Sequence, residues 1–314
     1  MDTVYDVLIV GGGPAGLTAG LYAGRAMLQA AIVEARGPGG QVVLTHEIEN
    51  YPGFSEPISG ALLAANMVDQ ANRFGVDMYY SPVESLNLQG KIKEVVTEQG
   101  KFRAKTVIIA TGVNPKMLGV PGEKEFIGRG VSYCATCDGA FFRDRDVAVV
   151  GGGDTAVKEA LFLTRFARRV WLIHRRDSLR AEQIQQKRLL ENTKITPLWN
   201  KVVAEIRGDT RVTGLRLQDV QSGEESHLAV QGVFVFVGRQ PGGPLAGSGI
   251  ALDEEGYIIT DEDMCTNIPG VYAVGDVRRK RWRQIVTAVN DGCIAALSAA
   301  EYIEENFGKD EDDD

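Results

Sequence analysis

"DVAVVGGGDTAVKEALFLTRFARRVWLIHRRDSLRAE", residues 146–182, repeats in outline a stretch near the start of the chain, "DVLIVGGGPAGLTAGLYAGRAMLQAAIVEA", residues 6–35. In each copy a short apolar run, Val147 to Val150 or Val7 to Val10, leads directly into glycines. A run apolar on both faces suits a parallel strand covered on both sides. The first turn carries Gly11, Gly13 and Gly16, with Pro14 and Ala15 opening the helix behind it. The second carries Gly151 and Gly153, then Asp154 and Thr155, with Ala156 in the place of the third glycine. A turn of this kind uses one glycine for the bend, one to let backbone approach a pyrophosphate and one for close helix-to-strand packing, with the helix N-terminus facing the anion. At 314 residues the chain exceeds the size at which a single core keeps growing. The repeat therefore predicts an α/β chain of two Rossmann-like, three-layer dinucleotide-binding domains.

The two copies differ where each second strand ends. "AAIVEA" closes on Glu34, about twenty residues beyond the glycines, where a carboxylate bonds ribose hydroxyls and repels a 2'-phosphate. That acid selects FAD or NAD over NADP. "RRVWLIHRR" closes instead on His174, Arg175 and Arg176, with Arg180 a turn later. Guanidinium groups meet a 2'-phosphate in paired hydrogen bonds, so this copy is suited to NADPH. Opposite ribose preferences in one chain imply FAD at the first site, NADPH at the second, and electron transfer between them.

The remainder of the first domain is split. An apolar strand over 106–110 ends in Ala110, Thr111 and Gly112, small residues that let backbone lie close to a flavin or adenine. Much later "GVYAVGDV", 270–277, supplies another strand that ends in Gly275 and Asp276, a carboxylate suited to the ribityl chain, and a helical pattern over 283–303 follows. The FAD domain thus comprises residues 1–115 and 245–314, and the NADPH domain, residues 116–244, is inserted between them. "GVPGE" (119–123) and "GRQPGGPLAG" (238–247) bracket the insertion and are placed to act as hinges.

Composition narrows the function classes. A formal charge of −8 speaks against nucleic acid as a partner, and no apolar run reaches the ~20 residues of a membrane span. The N-terminal segment lacks a charged region followed by a small-residue cleavage site, so a cytoplasmic protein is expected. The acidic stretch "GKDEDDD", 308–314, is expected to fray into solvent and aid solubility.

Within the inserted domain "GVSYCATCDGAFF", 130–142, sets Cys134 and Cys137 two residues apart and follows them with Asp138. A zinc site needs about four N or S ligands, whereas Cys265 and Cys293 stand alone and the chain has three histidines, so no metal site is expected. An inert staple gains little in a reducing compartment. A Cys-x-x-Cys pair instead favours one thiol of lowered pKa and fast thiol–disulfide exchange. Cys265 and Cys293 read as small buried hydrophobes.

With these motifs in place the chain resembles the low-molecular-weight, bacterial-type thioredoxin reductases. The resemblance runs through "GGGPAG", "GGQ" with "ENYPGF", "ATG", "CATCDG", "GGGDTA", "HRRDSLRA" and "GDV" followed by "RQ". It implies a thioredoxin-disulfide reductase: NADPH reduces FAD, reduced FAD reduces the Cys134–Cys137 disulfide, and the dithiol passes its electrons to thioredoxin. By the same resemblance Cys137 is the thiolate nearer the flavin and Cys134 attacks thioredoxin. Asp138 would be the acid that protonates the departing group, its carboxyl raised by partial burial. Further flavin contacts are implied at Gly40, Gln41, Asn50 and Val83, and at Arg283, Gln284 and Ile285. Disulfide and nicotinamide need the same ring, so the family's rotation of the inserted domain is implied as well. So is a homodimer formed through the FAD domains, consistent with "ISGALLAANMVDQA", 58–71.

The chain departs from the family pattern at Lys158, where an acid is common, at Asn290, at "RQPGGP", and in the basic run "VRRKRWRQ", 277–284, which reads as solvated surface in preference to a contact for an acidic thioredoxin. Competing readings are a thioredoxin-like disulfide reductase fed by reduced ferredoxin, a dithiol oxidase, and a flavin-binding sensor without turnover. Retention of Arg175, Arg176 and Arg180 argues against the first two, whereas the sensor predicts bound FAD that NADPH does not bleach.

Overall fold

A computed structural model describes residues 3–45 and 48–308; the acidic tail beyond Gly308 lies outside the described residues. The chain divides into two compact units, one composed of Met1–Asn114 and Gln240–Asp314, the other of Pro115–Arg239.

The first unit begins with β1 (Val4–Val10), α1 (Pro14–Arg25) and β2 (Ala30–Glu34). Pro14 at the start of α1 costs nothing there, because a first-turn N–H has no helical partner in any case. Next come α2 (Gly60–Arg73), β3 (Asp77–Tyr80), β4 (Val83–Asn87), β5 (Lys93–Thr97) and β6 (Gly100–Ile109). The Ser59 side chain caps α2 by accepting from Leu62 N–H at 3.2 Å. The sheet runs β3-β2-β1-β6-β5-β4. β6 serves both halves of this sheet: its first residues pair antiparallel with β5, and Val107 to Ile109 pair in parallel with a strand that comes 160 residues later in the chain or more, as described below.

The chain leaves this unit through β7 (Val113–Pro115). The second unit then holds β8 (Val131–Ser132), α3 (Ala135–Asp138), β9 (Asp146–Val150), α4 (Asp154–Leu163), β10 (Arg169–His174), α5 (Gln183–Leu190) and β11 (Ile195–Trp199). The meander β12 (Lys201–Gly208), β13 (Val212–Asp219) and β14 (Glu225–Ala229) follows, then β15 (Gly232–Val235) and the returning strand β16 (Arg239–Pro241). Its parallel sheet has the order β11-β10-β9-β15-β8, and β12-β13-β14 form a separate antiparallel sheet. Back in the first unit, β17 (Val271–Ala273) is the parallel partner of β6, and α6 (Ile285–Phe307) ends the described chain. A reciprocal capping box between Gln284 and Thr287 starts α6.

Both units have the same three layers. In the first, Ile9, Ile32 and Ile108 pack under Leu17, Leu63 and Ala295 of the helices, while Leu8, Val33 and Ile109 face Leu86, Val95 and Phe102 of the antiparallel strands. In the second, Val147, Val149 and Leu172 pack against Ala156, Ala160 and Leu163, while Ala148, Val150 and Ile173 face Val203, Leu215 and Leu217. The third layer is a β-meander in each case. A strand buried on both faces explains why β1 and β9 read as unbroken apolar runs.

Residues 240–244 lie with the first unit: Gly242 N–H donates to Gly112 O at 3.0 Å, and Thr111 Oγ1 donates to Gly242 O at 2.7 Å. On the other side of the crossing, Lys116 N–H donates to Gly238 O at 2.9 Å.

Candidate active site

All strands of a parallel array end at one edge, and ligands gather there. In the first unit that edge brings together the ends of β1, β2, β6 and β17. Gly11 has φ +111°, and a side chain on it would meet Ala110 O at 2.4 Å. A side chain on Gly16 would meet Gly11 O at 1.9 Å, so α1 sits as close to β1 as backbone allows. Gly13 and Gly112 face open space instead. Glu34 is held in place by backbone: Oε2 accepts from Gly12 N–H at 2.7 Å and Oε1 from Arg36 N–H at 3.0 Å.

Other expected residues join this edge through hydrogen bonds. Gln41 Nε2 donates to Val113 O, and Gly40 packs near Gly13. Asn50 Nδ2 donates to Gln284 Oε1 at 3.2 Å, which ties the loop after β2 to the start of α6 at Ile285. Val83 follows closely on Ser81, whose N–H donates to Glu34 O at 3.0 Å. Asp291 of α6 accepts from Gly275 N–H at 3.0 Å and so fixes the Gly275–Asp276 turn. The Arg283 guanidinium lies 4.1 Å from the Tyr257 ring centroid.

The basic run is not uniformly surface. Lys280 Nζ turns inward to Asp291 Oδ2 at 2.7 Å, and Arg278 Nη1 lies 3.5 Å from Oδ1. Arg279, Arg281 and Trp282 do face solvent. The expectation of a solvated stretch therefore fails at Lys280 and Arg278, whose partner comes from a helix later in the chain.

The second unit repeats the cradle. Gly151 N–H donates to Ile173 O at 3.0 Å, and a side chain on Gly151 would meet Phe236 O at 2.4 Å. Gly153 is open, Thr155 is exposed, and Ala156 is fully buried against the turn. Asp154 Oδ1 accepts from Glu182 N–H at 2.7 Å, and Arg180 N–H donates to Gly152 O at 2.7 Å, so the segment after β10 is pinned over the turn. Arg175, Arg176 and Arg180 are exposed. His174 is not: its ring is buried beside Gly152, edge-on to Trp199, and Nε2 has no hydrogen-bond partner among the described residues. Burial holds its pKa below the ordinary imidazole value, with Arg180, Arg176 and Arg175 adding to the effect and the Ser178 backbone opposing it.

Cys134 and Cys137 form a disulfide with their Cα atoms 5.4 Å apart. They leave the sheet edge from which Gly151 leaves, because β8, which precedes them, pairs in parallel with β15. Ser132 organises the approach: its Oγ accepts from Cys134 N–H at 3.0 Å and donates to Cys134 O at 3.1 Å. Cys134 caps the short helix, with Sγ accepting from Cys137 N–H at 3.1 Å. Cys134 is half-buried, Cys137 exposed, and Asp138 half-buried at the end of α3. Phe141, one turn on, is 78% exposed, whereas Phe142 packs edge-on to Phe234.

Two acids in this unit went unremarked in the sequence. Glu123 is 1% exposed and accepts from Leu118 N–H, Gly119 N–H and Tyr133 OH, which anchors the residue before Cys134. Glu159 lies on α4 with a carboxyl that meets the backbone of Ala135, between the two cysteines. Burial pushes it up to about 7, against the opposing pull of that N–H and of the Arg239 guanidinium. Its position was legible: with Ala156, Ala160 and Leu163 it falls on the helical stripe that faces the core.

Cys265 and Cys293 are half-buried free thiols, and burial, followed by Asp261 and Asp263, raises the Cys265 thiol. Among the described residues no group of three or more His, Cys, Asp and Glu is placed to hold a metal, and no helix is long and apolar enough to cross a membrane.

Two glycine cradles at sheet edges, each with a second-strand residue beside its middle glycine, and a disulfide beside the second cradle define a nucleotide-linked disulfide oxidoreductase. The chain belongs to the pyridine nucleotide-disulphide oxidoreductase family, whose model matches residues 5–292. It is 46% identical over 313 residues to a thioredoxin reductase of Peptoclostridium acidaminophilum, covering 98% of this chain and 99% of that one. It is 49% identical over 309 residues to a thioredoxin reductase of Listeria innocua, covering 97% and 95%. The crystal structure of Lactococcus lactis thioredoxin reductase matches it with a TM-score of 0.93 at 47% identity, over 96% of this chain and 99% of that one. Membership implies the use of a flavin and a pyridine nucleotide. The open faces at Gly13, Gly112 and Gly153 fit such groups, since no side chain stands where a dinucleotide backbone approaches.

Proposed function

We propose that the protein is an NADPH-dependent thioredoxin reductase. What carries the reading is the Cys134–Cys137 disulfide on the edge of a nucleotide cradle, in a chain that has a second cradle of opposite charge. In the first unit Glu34 and the Gly11–Gly16 turn would hold FAD, with Ala110 to Gly112, Gly275 and Asp276 along its length. In the second, Gly151 to Ala156 would hold the pyrophosphate of NADPH and Arg175, Arg176 and Arg180 its 2'-phosphate. The flavin, when bound, supplies the step between a two-electron hydride donor and a disulfide.

The chain's own residues do the rest. Exposed Cys137 is assigned to the flavin side of the exchange and Cys134 to attack on thioredoxin. Asp138 delivers and recovers the proton that each thiolate exchange requires. Phe141 offers an apolar contact to the incoming protein. Rotation of the inserted unit about β7 and β16 would present disulfide and nucleotide to the flavin in turn. A crosslink that fixes one orientation then permits only one half-reaction. Assembly as a homodimer through the first unit, and function in the cytoplasm, complete the reading.

Anaerobic titration of the purified yellow protein with NADPH, then NADH, then thioredoxin tests donor and acceptor together. Rapid loss of flavin absorbance with NADPH but not NADH, and its return on addition of thioredoxin, is the expected result. Loss of absorbance with no return would leave a flavoprotein of another acceptor.

A further inference from the structure

Glu159 is spent on no role in the scheme above, yet its carboxyl bonds to backbone between the two cysteines. Cys134 caps α3, so Ala135 N–H belongs to the first turn, where helical backbone donors lack partners. The Glu159 carboxyl accepts that hydrogen bond, while its Oε2 is buried without a hydrogen-bond partner among the described residues. Ala135 itself is fully buried, so water does not compete for the bond. Charged groups also sit on the elements around α4: Asp138 on α3, Asp146 on β9, Arg169 and His174 on β10, Lys187 and Arg188 on α5. Among the described residues only Arg239 adds a charge effect at Glu159.

We infer that Glu159 is a positioning residue for the disulfide, which holds the turn through Ala135 N–H and takes up a proton when the cysteines are reduced. The inference rests on Cys134–Cys137 being the working disulfide. An anion newly formed on sulfur makes a neighbouring carboxylate harder to keep ionised. Reduction at a pH where Glu159 is ionised then runs as disulfide plus carboxylate plus two electrons plus two protons, giving one thiolate, one thiol and one carboxylic acid. The S–S bond breaks, both electrons end on sulfur, one proton goes to a thiol and one to Glu159. Because burial places the carboxyl near 7 before reduction, the extra proton is taken up just above neutrality. A repulsion of about one pH unit makes that window roughly pH 7 to 8.

The test uses the holoenzyme, dithiothreitol as electron source, and alkylation to count reduced Cys134–Cys137. In the wild type the reduction equilibrium falls about threefold more steeply between pH 7 and 8 than in Glu159→Gln, since a shift of about one pH unit takes up about half a proton per disulfide at its maximum. Glutamine keeps an oxygen for Ala135 N–H, so a purely structural role predicts no change. Infrared difference spectra of the wild type alone give a second readout: a protonated-carboxyl band appears on reduction, even if the glutamine variant does not fold. An unchanged proton count in the variant, no such band in the wild type, or an effect confined to the KM for NADPH would overturn the inference. Failure of NADPH, but not of dithiothreitol, to reduce the disulfide would instead remove the reading on which it rests.

Discussion

His174 stands where a side chain on Gly152 would have to go: a Cβ at Gly152 would lie 2.3 Å from His174 Cε1. The first unit has the same relation in weaker form, with a Cβ at Gly12 3.3 Å from Glu34 Oε2 and Gly12 N–H bonded to that oxygen. The residue that ends the second strand thus closes against the middle glycine in both copies. The acid does so by a hydrogen bond and the histidine by packing.

Gly152→Ala is expected to force the His174 ring out of its place and to destabilise the protein by about 1–3 kcal/mol, as overpacking does. Gly153→Ala meets nothing within 4 Å and leaves fold stability unchanged, yet weakens NADPH binding because the methyl group fills the open face. Thermal unfolding without nucleotide, compared with NADPH affinity, separates the two. Equal melting temperatures for both variants would contradict the account.

Arg175 and Arg176 are exposed, so replacing either leaves no buried group unpaired. Arg175→Ala or Arg176→Ala should cost about 1.5–3 kcal/mol of NADPH binding, a roughly 10- to 100-fold rise in KM, through loss of a charge-assisted hydrogen bond. The KM for NADH should not move. Steady-state kinetics with both nucleotides decide the matter, and parallel changes would assign the arginines to something other than the 2'-phosphate.

Asp291 has a side chain 5% exposed and Lys280 one that is 9% exposed, and they bond at 2.7 Å. Removing one partner of such a pair strands the other charge. Asp291→Ala is expected to cost about 3–5 kcal/mol, to free Gly275 N–H and to lower FAD retention. The double variant Asp291→Leu with Lys280→Met should recover much of the stability but not the FAD content. Chemical denaturation and the ratio of flavin to protein absorbance measure the two separately.

Glu159 sets an unusual pH dependence of stability. Its folded value of about 7 lies above the ordinary 4.5, so the native state holds its proton where the unfolded chain has lost it. Stability from this group is therefore full below about pH 4.5 and is lost as pH rises to about 7, by about 3 kcal/mol in all. Glu159→Gln should show a flatter profile between those limits and converge in slope with the wild type above them. His174 acts in the opposite sense, since a group whose value is lowered on folding opposes the native state as pH falls through about 6.5. Subtracting the variant's urea-denaturation profile from that of the wild type isolates the carboxyl. A difference that does not vary with pH would contradict its burial.

Much of this was legible from residue order alone. The apolar runs at Val7 to Val10 and Val147 to Val150 announce strands covered on both faces, and the glycines after them need no context to be read as turns. The β-meander of each third layer was not announced, because β4 and β5 are only five residues long and β12 and β13 carry charged residues such as Glu205 and Arg216 at half-exposed positions. Lys280 looked like surface because its neighbours in sequence are basic, while its partner Asp291 is eleven residues on and reached only when α6 forms. Glu159 is the instructive omission. It sits beside Lys158, which is exposed, and one helical position decides which of two adjacent charges turns toward the cysteines.

The central claim, that Cys134 and Cys137 together carry electrons from NADPH to thioredoxin, is tested most directly by thioredoxin reduction in the wild type, Cys134→Ser and Cys137→Ser. The wild type should form one reduced thioredoxin per NADPH consumed. Each serine variant should retain FAD and let NADPH bleach it, yet reduce no thioredoxin. Turnover of thioredoxin in either variant would contradict the account.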